Sequence, residues 1–261
     1  MEKVDPDAAL TLLAEMSGAT DERLRRLARD LAGRVMLRLA SGTGPTRRGI
    51  GRLRTQRLEP GIDIDLEESL DALLPARAVR QSAAVEELRG RGWTKPGTAV
   101  CLVVDRSGST GGRRLATAAL AAAAVALRAD DYSVLAFSSR VQTIKDQQRQ
   151  KPAGEVVDAV LSLRGHGTTN IDAALRAALE QLSRSRASRK AVLLLSDGRS
   201  TTGPDPVAIA RQVDSFLVLT PTDGEETGEE ARKLALAVGG RFTTVTSPRL
   251  IPAAINDLWP S

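Results

Sequence analysis

Apolar residues recur every three or four positions along the first forty residues of the chain, which is the spacing of amphipathic helices. The pattern predicts two helices within residues 5–40. The second predicted helix carries one apolar stripe, made of Leu24, Leu27, Leu31, Val35, Met36 and Leu39. Two helices cannot bury such a stripe by themselves. We therefore expect this pair to pack on the remainder of the chain or on a partner.

After residue 97 the pattern changes to short apolar runs that alternate with helical periodicity. The runs predict strands at 98–104, 132–137, 141–145, 191–195, 215–219 and 241–245. Helices are predicted near 113–128, 154–163, 171–183, 206–212, 225–238 and 248–258. This alternation implies an α/β fold with a doubly wound, mainly parallel six-stranded sheet that has helices on both faces. Only three residues separate the second strand from the third, so we expect a hairpin and an antiparallel edge strand.

A stretch rich in Gly, Pro and Arg separates these two regions. It predicts a helical N-terminal extension with an Arg-rich linker, residues 1–96, followed by a main domain, residues 97–261. The arginines from Arg47 to Arg57 have two interpretations, a solvated linker or a basic arm for an acidic partner or nucleic acid. Aromatic residues make up only 2% of the chain, so base-stacking platforms have little to build on and the linker interpretation is favoured.

Composition and charge leave the function open but narrow it. The formal net charge of +5 is too small to require nucleic acid and equally permits an acidic protein partner. The one cysteine, Cys101, lies in the first apolar run and is expected to be a buried hydrophobe. The first residues lack a secretory signal, and the longest weakly polar run, 115–127, is too short to cross a bilayer. We therefore expect a cytoplasmic protein without membrane association.

Oxygen-bearing side chains follow the first strand of the main domain. Asp105 is followed two and four residues later by Ser107 and Ser109, and Gly108 allows the chain to bend between the serines. A bend there can turn three oxygens toward one point. Hydroxyls with few carboxylates suit Mg²⁺, which prefers oxygen ligands and usually keeps some water.

A second acidic residue is expected at the same place in the sheet. In the doubly wound order 3-2-1-4-5-6, the first and fourth strands are neighbours, and ligands bind at the carboxyl ends of the strands beside them. Asp105 and Asp197 follow those two strands. Their separation in sequence therefore need not be a separation in space, which is the main physical reason to expect a shared cation.

Two later segments complete a recognisable order of motifs. Gly167-Thr168-Thr169-Asn170-Ile171 leads into an Ala/Leu helix, and the fourth strand ends in Ser196-Asp197-Gly198. The order D-x-S-x-S, T-N-I and S-D-G resembles the von Willebrand factor A (VWA) family and its metal-ion-dependent adhesion site. The resemblance covers about residues 97 to 258.

The resemblance implies a ligand set. Ser107, Ser109 and Thr169 are expected to bind the metal directly or nearly so, with Asp105 and Asp197 acting mostly through water. Thr169 is preferred because it precedes Asn170, as the family's threonine precedes its asparagine, and Thr168 stays an alternative. Mg²⁺ is the expected cofactor, with Mn²⁺ or Ca²⁺ as alternatives.

The sequence lacks groups that several catalytic motifs require. Mg²⁺-dependent phosphohydrolases of the haloacid dehalogenase type require a second carboxylate two residues after the first, where this chain has Ser107. No G-x-x-x-x-G-K-[ST] phosphate loop and no G-x-S-x-G elbow occurs. The one histidine, His166, has no oriented acid in the pattern, so a polar loop role is favoured. We expect no enzymatic activity, with a haloacid-dehalogenase-type hydrolase as the alternative.

A binding function fits the pattern better. Neutral hydroxyls leave much of the charge of a divalent cation uncompensated, so an open coordination position should attract an Asp or Glu of another protein. The chain resembles bacterial VWA companions of MoxR-type AAA+ ATPases and the VWA part of magnesium chelatase. That resemblance implies an adaptor or substrate-coupling role beside a AAA+ ATPase. An RNA-binding VWA protein is a third interpretation, which steep salt dependence of RNA binding would support.

Overall fold

The computed structural model describes residues 5–17, 22–41, 52–57, 63–78, 84, 87–94, 97–107, 112–165, 167–222 and 228–259. The chain divides into two compact units. One unit comprises Met1–Thr46 together with Thr98–Ser261, and the other comprises Arg47–Gly97. Among the described residues, no helix combines the length and the apolar character needed to cross a membrane.

The larger unit contains a six-stranded sheet with the strand order β6-β5-β4-β7-β8-β9. Its strands are β4 (Thr98–Asp105), β5 (Tyr132–Phe137), β6 (Val141–Lys145), β7 (Arg189–Leu195), β8 (Ser215–Pro221) and β9 (Arg241–Val245). All neighbours are parallel except β5 and β6, which form a hairpin. The predicted α/β fold, its 3-2-1-4-5-6 order and its antiparallel edge strand are confirmed.

Helices cover both faces of this sheet. They are α4 (Gly112–Arg128), α5 (Ala153–Leu161), α6 (Ile171–Ser183), α7 (Val207–Ala210), α8 (Glu229–Ala237) and α9 (Ile251–Leu258), the last preceded by a 3-10 turn, Pro248–Leu250. Side chains of a strand alternate between faces. Accordingly Val100, Leu102 and Val104 of β4 pack with α4, α5 and α9. Cys101 and Val103 pack on the opposite face with α6 and α8.

Two N-terminal helices, α1 (Pro6–Met16) and α2 (Glu22–Ser41), lie outside α4 and pack against it. Helix α4 is therefore covered by the sheet on one side and by α1 and α2 on the other, and its alanines from Ala118 to Ala124 are all buried. Small side chains allow this close approach on both sides. At Gly112 an added Cβ would lie 2.6 Å from the backbone oxygen of Thr11. The expectation that the helical pair packs on the main domain is confirmed.

Helix α2 buries only part of the apolar stripe that the sequence pattern predicts, together with small residues beside it. Met36 and Ala32 are fully buried, whereas Leu27 and Leu31 are 59% and 46% exposed. Met36 of the predicted stripe is therefore buried, whereas Leu27 and Leu31 of the same stripe are exposed. The physical reason is distance, because the small face of α2 can approach the alanine-rich surface of α4 more closely than a row of leucines could.

The smaller unit contains a three-stranded sheet of order β1-β3-β2 and one helix, α3 (Leu70–Ala78). Its strands are β1 (Arg52–Arg57), β2 (Asp63–Ile64) and β3 (Arg89–Thr94), and β3 pairs with both others in antiparallel fashion. The structure here differs from the predicted helical extension with its Arg-rich linker. Residues 52–57 of the arginine-rich segment form a strand because their backbone finds a partner in β3, whose sequence lies more than thirty residues away. Arg47 and Arg48 of that segment lie outside the described residues.

Candidate metal site

Asp105 is the last residue of β4, and both oxygens of its carboxylate are held. The backbone N–H of Ser107 donates to Oδ1 at 2.8 Å, which closes a tight turn immediately after the strand. The hydroxyl of Ser196 donates to Oδ2 at 2.7 Å. The Arg106 N–H donates a hydrogen bond of 2.8 Å to the Phe137 carbonyl at the end of β5. The carboxylate is therefore positioned by the ends of two adjacent strands.

Asp197 follows β7, the strand beside β4. Its Oδ1 accepts a hydrogen bond from the Arg199 N–H at 3.0 Å, so it also begins a turn. Gly198 has a φ of 79°, and an added Cβ would lie 2.3 Å from the backbone nitrogen of Ala231 at the start of α8. Only glycine fits this close approach, which holds the loop after β7 against α8.

The loop before α6 is tied to both neighbours of β4. On one side the Asn170 N–H donates to the Ser138 carbonyl, 3.1 Å away, just past the end of β5. On the other side the Thr169 N–H donates to the hydroxyl of Thr201 at 2.8 Å, in the loop after β7. Because β4 lies between β5 and β7, these bonds bring Thr169 to the carboxyl edge where Asp105 lies.

The two candidate threonines differ in their surroundings. Thr169 is 5% exposed, and no hydrogen bond joins its hydroxyl to another described residue. Thr168 is exposed, and its hydroxyl accepts a hydrogen bond from Thr202 at 3.4 Å. A hydroxyl with unused lone pairs suits a cation ligand better than one already engaged in a hydrogen bond.

The electrostatics of this edge favour a cation. Burial raises the pKa of the Asp105 carboxyl, hydrogen bonds from Ser107 and Ser196 lower it in part, and the Asp197 carboxylate raises it further. Among the described residues, no Lys, Arg or His forms an ion pair with either aspartate. Two adjacent carboxylates without a protein counter-ion fit a bound divalent cation, which would replace the missing positive charge.

The donor set also indicates which kind of cation fits. No group of three or more His, Cys, Asp or Glu side chains that could hold a metal occurs in the described ranges. A cation at this edge would therefore take hydroxyl oxygens beside its two carboxylates, which is a set for a hard ion such as Mg²⁺ rather than for a thiolate-bound or imidazole-bound metal.

Four of the predicted ligands, Asp105, Ser107, Thr169 and Asp197, lie at the same carboxyl edge of the main sheet. The remaining predicted ligand, Ser109, and the histidine His166 lie outside the described residues. Sequence reasoning gave no role to Ser196, although it joins the two strand ends. Its only signal in the sequence is its place immediately before Asp197, and a serine there is ordinary turn chemistry.

The chain has a detectable relative among curated protein sequences and several among solved structures. It is 32% identical over 108 residues to an uncharacterized protein of Synechocystis sp., an alignment that covers 40% of this chain and 26% of that protein. A von Willebrand factor type A structure from Catenulispora acidiphila has a TM-score of 0.52 at 18% identity, covering 64% of this chain and 43% of that one. The chain thus spans about a quarter of the first relative and less than half of the second.

Two further structures share the fold. An aerotolerance-related membrane protein from Bacteroides fragilis has a TM-score of 0.51 at 17% identity and covers 62% of this chain and 98% of its own. The manganese-loaded TRAP protein of Plasmodium vivax has a TM-score of 0.50 at 18% identity and covers 61% of this chain and 72% of its own. The von Willebrand factor type A domain family matches residues 99–256, which is more than half of the chain. With this extent of match, the chain belongs to the von Willebrand factor type A domain family.

Proposed function

We propose that this chain is a Mg²⁺-dependent protein-interaction module without enzymatic activity. The observation that carries the proposal is the Asp105 carboxylate, held between Ser107 and Ser196 beside Asp197, with no ion-pair partner among the described residues. Folding such a like-charged pair is unfavourable by itself. A bound cation would offset this repulsion, so we infer that this edge of the sheet binds one.

The ligand set that we propose follows the family resemblance. Ser107, Ser109 and Thr169 would hold the cation through hydroxyl oxygens, and Asp105 and Asp197 would hold it mostly through water. Mg²⁺ is the proposed ion, and Mn²⁺ or Ca²⁺ would use the same oxygens. When bound, the ion supplies an open coordination position for a carboxylate of a partner protein.

The charges around this edge support an acidic partner. Arg140, Arg164 and Arg199 follow the ends of β5, α5 and β7, all three are exposed, and none forms an ion pair with a described residue. Exposed arginines at the edge that would hold the cation attract an acidic surface over several ångströms and speed its encounter.

We propose that the partner is a AAA+ ATPase of the MoxR type, in the cytoplasm, and that this chain acts as its adaptor or couples a substrate to it. The resemblance to bacterial VWA companions of such ATPases supports this choice. In that role the chain needs no catalytic group of its own, which agrees with Ser107 standing where a haloacid-dehalogenase-type hydrolase has its second carboxylate.

The experiment is an affinity measurement between the full chain and a candidate MoxR-type ATPase from the same organism, in Mg²⁺ and in EDTA. We expect binding in Mg²⁺ that EDTA removes and that Asp105→Ala abolishes. Asp130→Ala is the matched control, because Asp130 is an exposed aspartate just before β5, at the opposite edge of the sheet. Equal affinity with and without chelator would contradict metal-dependent binding, and metal-dependent release of phosphate from p-nitrophenyl phosphate would favour the hydrolase.

A further inference from the structure

A small cavity adjoins the candidate metal site. It measures about 80 Å³ and lies between the first turn of α4 and the carboxyl ends of the neighbouring strands. Arg113 and Arg114 line it on the helix side, and Thr222 and Ser247 line it on the sheet side. Asp197 lines it as well, so the cavity shares a wall with the metal site. Its volume exceeds that of a water molecule, about 30 Å³ in the liquid, and is sufficient for a carboxylate group.

The two arginines stand where a helix normally avoids positive charge. They are the second and third residues of α4, and the first turn of this helix contains no acidic residue. The amino end of a helix carries a partial positive charge, so acidic residues stabilise it and basic residues destabilise it. Real proteins break such local rules mainly at functional sites. An anion in the cavity would compensate Arg114 and the helix end.

The two arginines differ in how they are held. The guanidinium of Arg113 donates a hydrogen bond to the Thr246 carbonyl, which fixes it as a wall of the cavity. Arg114 is exposed, and in the described part of the chain it forms neither a hydrogen bond nor an ion pair. A flexible cationic side chain beside a fixed one can close on an incoming carboxylate with two parallel hydrogen bonds.

We propose that this cavity is an anion subsite for a second carboxylate of the partner. The proposal rests on the proposed function, because the first carboxylate of the same segment would approach the cation beside Asp197. A partner would then need more than one exposed acidic residue. It would need a segment with two acidic residues a few positions apart. Arg114 is the residue that distinguishes such a segment from one with a single acid.

The test is a titration of the isotopically labelled full chain, followed by NMR, with end-blocked Gly/Ser nonapeptides. One peptide carries a single Glu, and the others carry a second Glu two, three, four or five positions away. In Mg²⁺ we expect at least one spacing to bind about tenfold more tightly than the single-Glu peptide, the usual order for a charge-assisted hydrogen bond. If no spacing improves binding, the subsite is wrong.

Substitutions assign the effect to its residue. Arg114→Gln should remove the tenfold advantage and leave the affinity for the single-Glu peptide within about twofold. Arg189→Gln removes the same charge at the amino end of β7, the opposite edge, and should retain the advantage. Arg114→Glu should also remove the advantage while leaving the melting temperature unchanged or higher, because an acid suits the first turn of α4. If the two-Glu peptide still binds about tenfold more tightly than the single-Glu peptide in Arg114→Gln, the proposed subsite is wrong.

The same titration separates the two proposals. If the single-Glu peptide binds equally in Mg²⁺ and in EDTA, the metal-dependent function fails. If its binding depends on Mg²⁺ but the second Glu adds nothing, the function stands and the subsite fails.

Discussion

The Ser196 hydroxyl donates a hydrogen bond of 2.7 Å to the Asp105 carboxylate, across 91 positions of the chain. This bond joins the carboxyl ends of β4 and β7, and the Ser196 carbonyl in turn accepts a bond of 2.8 Å from the Thr220 hydroxyl on β8. Three neighbouring strands therefore hold one carboxylate in place. Ser196 is a positioning residue for the candidate metal site.

Replacing Ser196 with alanine should weaken the binding of Mg²⁺ about 10- to 100-fold, the usual effect of losing a hydrogen bond to a metal-site carboxylate. Isothermal titration calorimetry on the full chain measures this directly. Ser183→Ala is the control, since Ser183 is exposed at the end of α6 and bonds only within its own helix. Unchanged affinity in Ser196→Ala would mean that Asp105 needs no positioning from β7.

Replacing Asp105 with asparagine should stabilise the protein in EDTA and abolish its stabilisation by Mg²⁺. The carboxylate is disfavoured by burial and by Asp197, so the neutral amide relieves an unfavourable charge. We expect the variant to melt at a higher temperature than wild type in EDTA. Wild type should instead gain about 2.7 kcal/mol at a Mg²⁺ concentration of 100 times the Kd, and the variant should gain nothing. Calorimetric melting in both buffers checks this, and equal responses to Mg²⁺ would exclude Asp105 from the site.

A methyl group at Gly112 should force α1 away from α4. In most helices Gly→Ala is favourable, but here the new Cβ would lie 2.6 Å from the Thr11 carbonyl. We expect Gly112→Ala to lower the free energy of unfolding by about 1–3 kcal/mol, as overpacking does. Gly154→Ala is the matched control, because nothing lies within 4 Å of its added Cβ and the change should be neutral or stabilising by about 0.5 kcal/mol. Similar urea midpoints for the two variants would contradict the docking of α1 on α4.

The orientation of α2 predicts opposite results for two of its apolar residues. Met36 is fully buried, so Met36→Ala should cost about 2–5 kcal/mol of stability through the cavity that it leaves. Leu27 is 59% exposed, so Leu27→Ala should change stability by less than about 0.5 kcal/mol. Urea unfolding of both variants measures the two losses of stability. A larger loss for Leu27→Ala than for Met36→Ala would mean that the leucine side of α2 is the buried one.

The buried thiol of Cys101 should make stability fall in alkaline solution. Burial raises its pKa to about 12, and the polar Ser133 side chain nearby offsets this only in part. A pKa raised on folding means that the folded state holds the proton more tightly, so the contribution is complete below the unfolded value of about 8.5 and is lost as pH rises toward the folded one. Urea unfolding from pH 7 to 10.5 should show a steeper decline for wild type than for Cys101→Ala. Parallel curves would mean that folding does not change the pKa of the thiol.

The main sheet could be predicted from sequence because its strands are continuous apolar runs and its helices are periodic, so each element is marked by its own residues. The arginine-rich strand β1 could not, since a mostly polar run carries no apolar signal and the pairing partner is remote. The turn from Asp105 to Ser107 is similarly local, and its motif indicated a cation site without any tertiary information.

What the sequence determined by itself is therefore the set of local features: the apolar strands, the turn chemistry after β4 and β7, and the oxygens that those turns carry. Only the tertiary structure decided which stripe of α2 is buried, that Ser196 holds Asp105, and that Arg113 and Arg114 share a cavity with Asp197. The physical reason is that these relationships depend on the distance between elements far apart in the chain. That distance is set by close packing between whole surfaces, such as α4 against α2, and no single segment encodes it.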